Sequence, residues 1–156
     1  MSFGVPKHMS LESGEGIFLV GDTYSVLLSS EETSGKLGMV EVLVPAEAGP
    51  PPHTHLNEDE CFILMEGNLQ VTAGHDEYEV SQGGVVYIPR GTSHKYRNLS
   101  DTEPAKMIAL FTPAGMERMF REIGKPGIRG QLAPPVDFAD VEAMGNVAQK
   151  YGFTFD

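Results

Sequence analysis

Three of the chain's five histidines fall in two short stretches rich in side chains that bind cations. The first reads Gly49-Pro50-Pro51-Pro52-His53-Thr54-His55-Leu56-Asn57-Glu58-Asp59-Glu60. Side chains alternate along an extended strand, so His53 and His55 project to one side from Cα atoms about 7 Å apart, which lets two imidazoles converge on one ion. The prolines before them remove backbone donors and hold the approach extended, limiting the entropy lost when the histidines are ordered. In the second stretch, Pro89 and Gly91 fit a tight turn that delivers His94 to the start of a strand, with Tyr96 on its face. Three neutral imidazoles and one carboxylate make a mixed N/O site for one divalent transition metal (Mn, Fe, Co, Ni, Cu or Zn), and a poor one for Ca or Mg. Four protein ligands leave positions where water, substrate or dioxygen could sit. Strand parity alone does not choose among Glu58, Asp59 and Glu60, because Glu60 is five positions from His55 and needs a local irregularity to face the same way.

The elements that must position these groups are short. Apolar runs recur at 17–20, 23–29, 37–44, 60–65, 68–72, 77–80, 85–88, 94–98 and 105–111, separated by Gly-containing connections such as Gly21-Asp22, Glu66-Gly67 and Gly74-His75-Asp76. Regularly spaced short strands of this kind predict an all-β sandwich or barrel. After Phe111 the pattern changes. Thr112 as N-cap and Pro113 at the first helical position predict a helix carrying Met116, Met119, Phe120 and Ile123 on one face, stopped by Gly124. Residues 125–136 read as a loop. Val141, Met144, Ala148 and Tyr151 form a second helical stripe that ends at Gly152. Residues 1–13 are expected to be poorly ordered unless a partner pins them.

At these positions the chain resembles the cupin superfamily. The first stretch, continued to Gly67, matches its HxH(x)4E(x)6G motif, and Gly83, Pro89, Gly91, His94 and Asn98 match G(x)5PxG(x)2H(x)3N. One departure is Gly49, with three residues between it and His53 instead of five. The resemblance implies a double-stranded β-helix, a jelly-roll-like barrel, with one or two short C-terminal helices. It also implies metal ligands at His53, His55, Glu60 and His94. One cupin domain over 1–156 is expected, with N-terminal strands at 14–32, a barrel core at about 36–112 and a helical segment at 113–152. Within the superfamily, GPPPHTHLNEDECFILMEGNLQV, VVYIPRGTSHKYRN and PAGMERMFREIG resemble small cupins grouped with quercetin 2,3-dioxygenase. That likeness implies a metal-dependent dioxygenase acting on an enol or flavonol-like compound, with Glu60 as the proton acceptor. The cupin barrel also hosts isomerases, lyases and non-enzymatic small-molecule binders, which stand as the alternatives.

Phe62, Leu64 and Tyr96 share the parity of the expected ligands and are the candidate substrate contacts, with packing the near-equal alternative for Phe62 and Leu64. The parity of Met39 and Glu41 is undecided. Asn98 reads as a turn stabiliser, and His8 and His75 stay unassigned. Cys61 should point opposite to Glu60 and, as the sole cysteine, has no intramolecular disulfide partner. A net charge of -11 without a Lys/Arg cluster argues against nucleic acid. No apolar run approaches the roughly 20 residues that span a bilayer, and the first residues lack the regions of a secretory signal, so a cytoplasmic protein is expected. The long N-terminal strands would present unpaired edges, from which a homodimer is expected.

Overall fold

The computed structural model describes residues 4–10 and 14–156, apart from the side chain of Asp140. Twelve strands occupy the described residues: β1 (Glu15–Leu19), β2 (Asp22–Leu28), β3 (Gly38–Val44), β4 (His53–His55), β5 (Asp59–Glu66), β6 (Asn68–Ala73), β7 (Asp76–Ser81), β8 (Val85–Ile88), β9 (His94–Asn98), β10 (Ala105–Thr112), β11 (Lys125–Ile128) and β12 (Phe153–Phe155). Three α-helices join them, α1 (Ser30–Thr33), α2 (Met116–Ile123) and α3 (Phe138–Ala148), the last running into a short 3-10 turn at Gln149–Tyr151. The strands form two antiparallel sheets, ordered β11-β1-β2-β3-β10-β5-β8 and β12-β4-β9-β6-β7. Their inner faces enclose one core, to which β3 contributes Val40, Val42 and Val44, β5 contributes Phe62 and Leu64, and β6 contributes Leu69 and Val71. The all-β expectation therefore holds. The inward parity of β3 belongs to the valines, and Met39 and Glu41 take the opposite face; Glu41 is buried there under the guanidinium of Arg129, at 3.0 and 3.1 Å.

Leu19 pairs with Asp22 across a two-residue turn in which Val20 and Gly21 both have positive φ, 51° and 84°. That is the twist-matched hairpin geometry, and it sets Asp22 and Tyr24 on one face of β2. Gly49 is required by close approach: a Cβ there would lie 1.9 Å from the Tyr96 carbonyl oxygen. The proline strap before β4 can thus lie flat against β9, which accounts for the displaced glycine of the first motif.

Three sequence expectations change. α2 starts at Met116, not after Thr112, because Thr112 still belongs to β10, where it pairs with Asp59. The N–H of Gly115, the residue before the helix, donates to the Glu117 carboxylate at 2.9 Å. The expected loop at 125–136 contains β11, which pairs with β1 from Glu15–Ile128 to Phe18–Lys125. β11 covers the edge of β1, so the unpaired edge from which the homodimer was inferred is absent there. Beyond Gly152 the chain makes a further strand, β12, on β4. Of the N-terminal stretch expected to be poorly ordered, residues 1–3 and 11–13 lie outside the described residues. In between, Lys7 donates to the Leu27 carbonyl at 3.1 Å and pairs with Glu32.

Candidate metal centre

β4 and β9 lie side by side, with His53 registered opposite His94, and both strands turn these side chains inward. The peptide between His55 and Asp59 bends out of one sheet and into the other, so strand parity is not carried across it. This is the local irregularity that the spacing required. Past the bend, alternation along β5 buries Glu60, Phe62 and Leu64. The three adjacent carboxylates separate accordingly. Glu60 enters the barrel, Asp59 accepts from the Arg90 backbone and side chain at 3.0 Å, and Glu58 sits behind His55.

One ligand atom from each of His53, His55, Glu60 and His94 lies within 4.8 Å of the others, and all four side chains are buried. The Nδ1 atoms of His53 and His94 meet the carbonyls of Pro51 and Thr92, each at 2.9 Å, which leaves both Nε2 atoms for the centre of the cluster. Glu60 Oε2 is 2.8 Å from His94 Nε2 and 3.3 Å from His55 Nε2. Neither ring nitrogen of the buried His55 has a hydrogen-bond partner. Leaving a buried nitrogen unpaired costs about 1–3 kcal/mol, and a cation among the four groups would satisfy Nε2. The donor set fits a divalent transition metal by the same test, since nitrogen-rich mixed sites suit Mn through Zn.

Burial, aided by the His94 charge and opposed by the Pro51 carbonyl, holds the His53 imidazole down to about 3. Burial and the two neighbouring imidazoles keep His55 well below the usual range. Burial also acts to lower His94, but its hydrogen bond and charge interaction with Glu60, with help from the Thr92 carbonyl, leave it above the usual value. Burial raises Glu58 to about 7 against the pull of Arg90. Its Oε2 is 4.0 Å from His55 Nδ1, beside the nitrogen that a carboxylate orients in many metal sites but beyond hydrogen-bond reach.

The cluster opens on a narrow cavity of about 30 Å³, whose walls include Tyr24, Val42, Tyr96, Met107, Ala109, Met119 and Phe120. Tyr96 lines it. Phe62 and Leu64 are not among its lining residues; Phe62 packs from behind, its ring 6.1 Å from His94 and 5.6 Å from Tyr96. Asn98 donates to the carbonyls of Val44, Pro45 and Glu103 and accepts from the Ser100 N–H, as a turn stabiliser does. Cys61 is part-buried on the face opposite Glu60, and burial raises its thiol pKa. His8 and His75 are exposed.

Two contributors were not read from the sequence. Phe153 on β12 stacks on His53 at 5.0 Å and meets His55 edge-on at 5.1 Å, fixing both rings. The signal was the Phe-Thr-Phe alternation after Gly152. Asp22 accepts from Tyr96 Oη at 2.6 Å; its place beside Gly21 marks it only as a turn residue.

An antiparallel two-sheet barrel with three inward histidines and a glutamate that could hold one cation defines a class of β-barrels with a candidate metal site. A family profile described as a cupin domain matches residues 39–118, and the chain belongs to that family. The chain is 30% identical over 126 residues to quercetin 2,3-dioxygenase of Bacillus subtilis, covering 80% of this chain and 36% of that protein. It is also 30% identical over 95 residues to the tetracenomycin polyketide synthase protein TcmJ of Streptomyces glaucescens, covering 60% of this chain and 62% of that one. The chain thus spans less than two thirds of each of these relatives. Among solved structures, KdgF from Halomonas sp. superposes with a TM-score of 0.61 at 20% identity, over 76% of this chain and 98% of that one. A predicted oxalate decarboxylase from Thermotoga maritima gives 0.62 at 19%, over 67% and 96%. Among the described residues, no helix is long and apolar enough to cross a membrane.

Proposed function

We propose that the chain is a metal-dependent cupin enzyme, a dioxygenase that acts on a compact enol or flavonol-like compound. The observation that carries this reading is the convergence of His53, His55, Glu60 and His94 on one point, three of them lining a small, partly open and largely apolar cavity. Similarity to quercetin 2,3-dioxygenase over 80% of the chain supports the choice of reaction.

A divalent transition metal bound by these four residues supplies a Lewis acid that lowers the pKa of a substrate hydroxyl. Glu60 is the carboxylate placed to accept that proton, with Oε2 facing the cluster 2.8 Å from His94 Nε2. Without metal, His94 Nε2 holds that oxygen toward the cluster through a hydrogen bond, which an ion on Nε2 would replace. Met107, Ala109, Met119 and Phe120 exclude water, which strengthens every charge interaction inside. About 30 Å³ is far below the roughly 300–1,000 Å³ of an ordinary ligand pocket, so a substrate displaces wall side chains on entry and a compact enol fits better than a three-ringed flavonol.

The test is elemental analysis of the purified protein, then oxygen uptake with enediols and flavonols after loading with Mn, Fe, Co or Ni. Oxygen consumption that disappears in Glu60→Gln supports the reading; bound metal with no oxygen use on any compound refutes it. The tight cavity also favours a second reading, an isomerase or lyase in which Glu60 moves a proton without dioxygen. Turnover with no oxygen uptake would select it.

A further inference from the structure

Beyond the histidines, two tyrosines of the cavity wall and one buried aspartate form a small array of oxygens. Tyr96 Oη donates to Asp22 Oδ2 at 2.6 Å and lies 3.2 Å from Tyr24 Oη. Tyr96 has a single proton and gives it to Asp22, so Tyr24 is the donor across the longer contact. The lone pairs of Tyr24 Oη then remain free, and Tyr24 lines the cavity together with Tyr96, His53, His55 and Glu60. Asp22 is completely buried, faces inward from the same strand as Tyr24, and its Oδ1 has no hydrogen-bond partner. With Asp22 ionised, the array therefore has acceptors in surplus and no donor to spare.

Packing alone does not account for this chemistry. Tying β2 to β9 across the barrel needs only the Tyr96–Asp22 bond, and Tyr24, whose ring packs 4.6 Å from Phe120, would pack there equally well as phenylalanine. A carboxylate with no exposure and an unpaired oxygen costs free energy that an apolar residue would not. Burial accordingly lifts Asp22 to about 7 against the lowering effect of the Tyr96 hydrogen bond.

We infer that Tyr24, Tyr96 and Asp22 form a second recognition subsite, which accepts a hydrogen bond from a hydroxyl on the substrate at a distance from the metal cluster. His94 and Tyr96 stand two residues apart on one face of β9, so the two subsites are offset by roughly 7 Å along the strand. This rests on the proposed metal-dependent reading and narrows its substrate class: a compact cyclic enol that carries a second hydroxyl across the ring from the metal-binding oxygens.

Kojic acid and allomaltol test this, because both are hydroxypyranones that chelate metals and they differ by one hydroxyl, on the arm across the ring. Binding of each to the full chain loaded with Co(II) is measured by calorimetry at pH 8 and followed in the cobalt absorption spectrum. The expected result is kojic acid binding about tenfold more tightly than allomaltol, with Tyr24→Phe lowering kojic acid to the allomaltol level while allomaltol keeps its affinity. Equal affinities in the unmodified protein overturn the subsite, as does a preference that survives Tyr24→Phe. Should Tyr24→Phe not fold, the ratio in the unmodified protein decides alone. A cobalt spectrum unmoved by either compound overturns the metal-dependent reading itself, and the subsite with it, an outcome distinct from equal binding of both.

Discussion

Replacing Asp22 with asparagine should remove a large part of the pH dependence of folding. The folded carboxyl titrates near 7 because it is buried, against 3.8 for the ordinary group. Between those values the native state holds a proton that the unfolded chain has released, so stability falls as pH rises. From pH 5 to pH 8 the native carboxyl passes through its value while the unfolded one is ionised throughout. The two pH units below 7, at about 1.4 kcal/mol each, amount to roughly 3 kcal/mol lost. The amide introduced by Asp22→Asn does not titrate; its carbonyl can still accept from Tyr96, although its nitrogen is an unpaired donor that costs about 1–3 kcal/mol at every pH. Glu58, also raised to about 7, adds a slope common to both proteins that cancels in their difference. Urea unfolding at pH 5, 6, 7 and 8 with chelator present measures that difference. It should shift by about 3 kcal/mol in favour of Asp22→Asn as pH rises; parallel profiles would refute the reasoning.

Alanine at His53, His55 and His94 together should abolish stoichiometric metal uptake in elemental analysis, and undiminished content would end the assignment. Metal occupancy against a competing chelator should fall as pH drops through the raised His94 value, because that imidazole must release a proton to bind. His53 and His55, held neutral by burial, should not compete until far lower pH, so release of two or more protons per ion near neutrality would contradict the arrangement. Phe153→Ala removes the ring stacked on His53 and should cost about 3–5 kcal/mol in denaturant unfolding, with weaker metal binding; unchanged affinity would mean that β12 does not seat the ligands.

The three histidines of the candidate site are legible in sequence because their placement depends on local geometry. His53 and His55 need only two-residue periodicity, and His94 only a turn made by Pro89 and Gly91. The choice of Glu60 is not local: the bend after His55 moves the chain between sheets, and parity cannot be counted through a change of sheet. β11 and β12 escape for a related reason. Lys125–Ile128 carries a proline and a glycine, and Phe153–Phe155 is three residues long, so each is a strand only because β1 and β4 offer an edge to pair with. Thr112 shows two local rules in conflict. It suits an N-cap, yet its pairing with Asp59 extends β10, and the helix begins where that ladder ends. Asp22 is hidden by its neighbour, since Gly-Asp at a strand boundary marks a turn whether or not the carboxylate faces inward.

The same enclosure moves the acids and bases of the barrel in opposite directions. It holds His53 and His55 below their ordinary values and lifts Asp22 and Glu58 to about 7. Imidazoles kept neutral have no proton to displace, which favours the softer divalent ions over Ca or Mg, whose sites are built from oxygens. The Glu60–His94 contact brings a carboxylate and the one imidazole of the cluster that is raised above its usual value within 2.8 Å. On the proposed reading, metal capture and proton transfer therefore meet at one oxygen, Glu60 Oε2. Glu60→Gln is therefore, on that reading, a sharper probe of the chemistry than removal of any single histidine: it takes away the proposed proton acceptor and leaves all three nitrogen donors in place.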